Sequence, residues 1–180
     1  MQISKLARLG AKLCLQPNQQ ILYIGCWWGG LANALWEMQP NISVTGITLS
    51  ENQHSYASEK AKQDNRHQHL TFHLCDYQHQ RGSFDRIVSA GMLEHVGMRH
   101  FDSYFASIAQ LLAANGVALI HSIRVHHNAK RSNRWLNKYI FPRGYIPSPE
   151  QMTRAAGHQR LTILDMKIMR GHYTETLKQW

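Results

Sequence analysis

The chain has 180 residues, 43% of them apolar and 17% charged, enough to bury one domain's core and not the balance of a disordered polymer. No run of roughly 18 apolar residues occurs, which excludes a long hydrophobic membrane-spanning helix. The net charge of +9 points to an anionic partner surface, nucleic acid or phospholipid head groups, with a merely solvated basic loop as the plain alternative.

Taken in chain order, Ile3, Leu6, Leu9 and Leu13 recur at helical spacing over 2–15, and Gln16-Pro17-Asn18 stops that helix. Residues 21–24 form a short buried strand that runs into a glycine-rich turn at 25–30. A helix follows over 31–38, broken at Pro40, and then a second strand over 42–48. Ser50 caps a polar helix over 51–64, and strands three and four occupy 70–74 and 84–89. Phe101, Tyr104, Phe105, Ile108 and Leu111 mark an amphipathic helix over 100–113. The fifth strand, 116–123, is apolar nearly throughout, as central parallel strands are. A basic, loop-like stretch follows, with a short helix near 135–139. Ser148 then caps a helix that starts at Pro149 and carries Glu150 in its first turn. Residues 161–169 read as a sixth strand and 173–180 as a final helix.

This alternation predicts an α/β fold with a mostly parallel central sheet and helices on both faces, in a single domain over 1–180. Ligands of such sheets bind beyond the carboxyl ends of the strands. The loops after Ile24, Thr48, Leu74, Ser89 and Ile123 are therefore where chemistry is expected.

The turn at 25–30 offers close backbone approach and a helix amino end, which a purely structural strand–helix turn would also want. Thr48, Leu49, Ser50 and Gln53 supply hydroxyls and an amide but no carboxylate, so the acidic ribose partner of a dinucleotide site is missing. Asp76-Tyr77 suits the amino group and face of a base, or is a turn aspartate beside a partly buried ring. Glu94 and His95 interrupt an apolar segment, as ligand contacts or as part of a helix cap. His121 lies in an apolar strand, either a satisfied core histidine or a functional one. Cys14, Cys26 and Cys75 are odd in number and far apart, which fits a reducing cytosol rather than a disulfide framework. Neither His126-His127 nor His67, His69 and His73 has zinc-site spacing, so no metal is expected. The first fifteen residues lack the pattern of a signal peptide. Between Asp102 and Glu150 there is no acidic residue, while Arg124, Lys130, Arg131, Arg134, Lys138 and Arg143 fall there.

The strings ILYIGCWWGGLA, VTGITLSENQ, CDY, GSFDRIVSAGMLEHVGMRHFDSYF, LIHSI, WLNKYIFPRGYIPS and GHYTETLKQW occur in this order. Together they closely resemble the cyclopropane-fatty-acyl-phospholipid synthase family, which includes the mycolic acid cyclopropane synthases. The resemblance implies a Rossmann-like class I methyltransferase fold, with S-adenosylmethionine and bicarbonate as cofactors. The reaction it implies is transfer of a methyl(ene) carbon to a cis double bond in a phospholipid acyl chain, with bicarbonate as proton acceptor. It assigns the cofactor to Gly25, Cys26, Gly29, Thr48, Leu49, Gln53, Asp76 and Tyr77. It assigns the catalytic, bicarbonate-holding set to Glu94, His121, the backbone of Ile123, and Tyr173. The basic stretch 124–147, with Trp135, Tyr139, Phe141 and Tyr145, becomes a lipid-facing insertion; packing of those rings over an acyl tunnel is the alternative. The implied setting is cytoplasmic, peripheral to the inner face of a phospholipid bilayer, with a homodimer as one arrangement and no nucleic-acid partner.

Departures from the family pattern bear on activity. Tyr23 stands where the family carries an acid, Trp27 where it carries a second glycine, and Arg124 where it usually carries glycine. A side chain at Trp27 is expected to compete for the cofactor's space. The family's cysteine ligand for bicarbonate falls before Met1, and its further helix and last antiparallel strand fall after Trp180, so both ends are expected to be short. Two other readings follow: a degenerate relative without turnover, and a methyltransferase acting on a small amine.

Overall fold

The computed structural model describes residues 2–123 and 145–169. The short helix near 135–139, the final helix at 173–180, Tyr173, Arg124 and the basic stretch up to 144 lie outside the described residues.

Five strands form one parallel sheet in the order β3-β2-β1-β4-β5. They are β1 (Gln20–Ile24), β2 (Ser43–Thr48), β3 (Leu70–Leu74), β4 (Phe84–Ala90) and β5 (Leu112–His121). The helices are α1 (Gln2–Leu13), ahead of β1, α2 (Gly30–Met38), α3 (Glu51–Gln63), α4 (Leu93–Val96) and α5 (Phe101–Leu111), between strands, and α6 (Pro149–His158), after β5. β1 lies at the centre, and all its residues after Gln20 are buried. Alternate side chains of that strand serve two cores. Ile21 and Tyr23 join Leu9, Leu13, Leu35, Ala57 and Ala61 from α1, α2 and α3. Leu22 and Ile24 join Tyr104, Phe105 and Ile108 of α5 and Ala155 and Ala156 of α6. Helices therefore cover both faces, as the strand–helix alternation predicts.

Register brings the carboxyl ends of the strands together. Ile24 pairs with Ile47 on one side and Ser89 on the other, Thr48 with Leu74, and Ala90 with His121. The chain leaves β1 toward β2 and returns beside β1 as β4, so strand order reverses there and a crevice opens at the carboxyl edge.

Local chemistry accounts for the helix boundaries. Ser50 accepts the Gln53 N–H as the cap of α3. Ser148 and Gln151 form a reciprocal capping box on α6, with Pro149 as the first helical residue. The C-terminus of α1 is closed by a side chain distant in sequence. Arg86, buried on β4, donates from Nε to the Leu13 carbonyl and from Nη2, at 3.1 Å, to the Cys14 carbonyl. A cation fits there because those carbonyls carry the negative end of the helix dipole.

Gly46 shows how tightly the first core is assembled. A Cβ at that position would lie 2.6 Å from the Phe72 ring and 2.9 Å from Cys26 Cβ. Gly46→Ala should therefore cost about 1–3 kcal/mol through overpacking, read as a lowered urea midpoint. An unchanged midpoint would show that the Phe72 ring yields without cost.

Two expectations are corrected. The fifth strand was expected to be central, but β5 is an edge strand among the described residues, with intermediate burial along most of its length. Its register also shifts between Phe84 and Arg86, so regular pairing begins at Val117. Residues 161–169 form no strand. Ile163, Leu164, Met166 and Ile168 are exposed, and Asp165 is ion-paired to Lys12. An apolar run becomes a strand only when a neighbouring ladder takes its N–H and C=O groups, and among the described residues none pairs with it.

Candidate functional site

At the carboxyl edge of β1, β2, β3 and β4 the chain forms a pocket of about 360 Å³. Its floor and walls are Ile24, Ile47, Met92, Cys75 and Tyr77, and its rim carries Gly25, Trp27, Thr48, Leu49, Ser50, Gln53 and His95. Gly25 is required at its place: φ is +70°, and a Cβ would meet Met92 at 2.9 Å. Its N–H and that of Cys26 both donate to the Ile47 carbonyl, at 3.0 and 2.9 Å, which ties the turn after β1 to the end of β2.

The β2 side of the rim is a hydrogen-bonded relay. Thr48 Oγ1 donates to Gln53 Oε1 at 2.7 Å and accepts the Ser50 N–H at 3.2 Å. With Oε1 committed to Thr48, the NH2 group is the donor that this amide can offer a ligand. Tyr77 is buried, its ring edge-on to Tyr104 with centroids 5.3 Å apart, so its orientation is held from behind. Asp76 uses its carboxylate on the Gln78 N–H at 2.9 Å, a local turn contact.

The β4 side differs in chemistry. Glu94, on α4, is 1% exposed. Its Oε1 accepts the Ile123 N–H at 2.6 Å, and its backbone carbonyl accepts the Tyr145 N–H at 2.9 Å. One residue thus holds both flanks of the stretch 124–144. Glu94 Oε2 is buried with no hydrogen-bond partner among the described residues, an arrangement that fits a small ligand bringing its own O–H or N–H. Burial raises the Tyr104 phenol well above the ordinary range, and Tyr77 and Glu94 add to the rise.

Of the residues assigned to the cofactor on sequence, Gly25, Thr48, Leu49, Gln53 and Tyr77 line this pocket, whereas Cys26, Gly29 and Asp76 lie beside it. Cys26 points into the first core, where burial pushes its thiol up to about 12, its backbone hydrogen bond opposing. Gly29 packs on Phe72 and Ala57. Glu94 and Ile123 are in direct contact, and His121 ends β5 opposite Ala90. Tyr23, the expected counterpart of an acidic cofactor contact, is buried in the first core, where desolvation first and Cys26 second hold its phenol protonated. His95, read from the sequence as a ligand contact or part of a helix cap, lines the pocket, whereas Ile24, Ile47, Cys75 and Met92 were not singled out as pocket lining from the sequence. The strand-end isoleucines could have been, because period-2 alternation aims them to the same side as Leu22.

The sequence profile of the family described as mycolic acid cyclopropane synthetase matches residues 1–180. The cyclopropane-fatty-acyl-phospholipid synthase of Escherichia coli is 36% identical over 179 residues, covering 99% of this chain and 45% of that protein. The chain thus spans less than half of that relative's length. The cyclopropane synthase MmaA2 from Mycobacterium tuberculosis superposes with a TM-score of 0.88 at 26% identity, over 99% of this chain and 67% of that one. The mycolic acid cyclopropane synthase CmaA1, complexed with SAH and CTAB, gives a TM-score of 0.89 at 28% identity with the same coverage.

Proposed function

The chain belongs to the mycolic acid cyclopropane synthetase family, and from that premise we propose that it is the methyltransferase portion of an enzyme that alkylates the cis double bond of a phospholipid acyl chain. The observation that carries this reading is the joining, on one sheet edge, of an apolar pocket with a neighbouring buried carboxylate. Relatives named for fatty-acyl-phospholipid cyclopropanation, and one named as complexed with SAH, support the choice of chemistry.

In this reading S-adenosylmethionine occupies the pocket and supplies an electrophilic methyl group on its sulfonium. Gly25 admits it close to the backbone, Gln53 donates to it, and Tyr77 offers a ring face. Ile24, Ile47 and Met92 exclude water from the reacting end. Addition of the methyl to an alkene creates a positive charge on the acyl chain, which then loses a proton as the ring closes. The fixed carboxylate of Glu94 stabilises that charge without reorganising. Its Oε2 fits the O–H of bicarbonate, which when bound would supply the base for that proton. Ile123 N–H is already used by Glu94 Oε1, so it is not a donor to the anion in this arrangement. The basic stretch between Asp102 and Glu150 supplies attraction to a phospholipid surface.

Titration of the chain with S-adenosylmethionine tests the cofactor step. Gln53→Ala should weaken binding about fivefold by loss of one hydrogen bond. For the substrate, the full-length protein should move a labelled methyl from S-adenosylmethionine into vesicles of cis-unsaturated phospholipid. Methylation of a small amine with no modified lipid would replace this reading with the amine one. No cofactor binding would leave a family member without turnover.

A further inference from the structure

Trp27 sits in the middle of the turn after β1, in the left-handed region at φ 51°, a conformation that costs a residue with a side chain roughly 1–2 kcal/mol. Contacts across the crevice compensate. Its indole Nε1–H donates to the Ala90 carbonyl at the end of β4, at 3.2 Å. Its ring stands edge-on to His95, with centroids 6.4 Å apart. Trp27, Met92 and His95 therefore wall off the β4 end of the pocket, and Thr48, Leu49, Gln53 and Tyr77 make the other end. Among the described residues, no Asp, Glu, Lys or Arg lines it. A base and ribose find polar groups and a ring at the β2–β3 end. A charged chain extending toward β4 meets an aromatic wall and, among the described residues, no countercharge.

We propose that Trp27 is a specificity-determining residue of this pocket: latched to Ala90, it shortens the site so that the nucleoside portion of a ligand fits and a charged extension must displace the indole. The proposal rests on the cofactor reading given above. The latch separates ligands by length rather than by base. Trp27→Gly opens the β4 end, and Trp27→Phe keeps a ring but breaks the bond to Ala90.

The test is calorimetric titration of the chain and both variants with adenosine, S-adenosylhomocysteine and S-adenosylmethionine. Trp27→Gly should tighten both long ligands about tenfold, equivalent to about 1.4 kcal/mol, and leave adenosine within about twofold. Trp27→Phe should fall between. In the unmodified chain, the long ligands should change tryptophan fluorescence more than adenosine does. Equal affinities for all three ligands in chain and variants would overturn the latch while sparing the cofactor site. So would a selective loss of S-adenosylmethionine in Trp27→Gly, which would mean that the indole holds the sulfonium by cation–π attraction. Absence of binding by any ligand to any form would overturn the latch and the cofactor reading together; melting curves confirm that each variant is folded.

Discussion

Glu94→Gln in the full-length protein should reduce methyl transfer to lipid by a factor of about 10²–10⁴, the range associated with a positioned acid–base group, while leaving the fold intact. The glutamine carbonyl can still accept the Ile123 N–H that Oε1 now takes at 2.6 Å, and the backbone bond from Tyr145 is untouched. What disappears is the negative charge and the free acceptor at Oε2. Glu94→Ala should lose the same activity and in addition about 1–2 kcal/mol of stability, because the Ile123 N–H loses its partner. Methyl incorporation and thermal melting, measured on both variants, separate the two effects. Full activity in Glu94→Gln would remove Glu94 from the chemistry and leave it as a clasp holding residues 123 and 145.

Arg86→Met should destabilise the chain by about 3 kcal/mol, more than any exposed substitution. Hydrogen bonds to a charged group contribute roughly 1.5–3 kcal/mol each when the alternative is an unsatisfied acceptor. Arg86 makes them to Leu13, Cys14 and, at 2.7 Å, Asp85 carbonyls. Methionine fills similar volume but leaves the carbonyls at the end of α1 without their cation. Arg86→Lys keeps the charge without the planar fork and should recover less than half of the loss. Urea unfolding reads this as a lower midpoint at unchanged slope. A midpoint unmoved in Arg86→Met would mean that water replaces the guanidinium at no cost.

The strand–helix alternation was legible because each element carries its own periodicity and stops. Ser50 and Ser148 announce the helices they cap, and both caps form. β3 at Leu70–Leu74 matches its sequence reading. The misread elements share a cause. For β5 and 161–169, apolar content suggested burial by neighbours, and neighbours are a property of the assembled sheet. In the site, residues on the turns were visible because glycine, hydroxyl and carboxylate stand out from their surroundings. Met92 and Cys75 were not seen as pocket walls, since nothing in their immediate sequence says which cavity they face.

By itself, then, the sequence determined the α/β class and membership of the family, because these follow from periodicity, caps and motif order. Only the tertiary structure decided that Arg86 closes α1 and that Glu94 grips Ile123. Only it sends Tyr23 into the core and latches Trp27 across the crevice to Ala90. Each of these contacts joins residues far apart in the chain or depends on which face a strand turns inward. Such facts exist only once parallel strands have set their register.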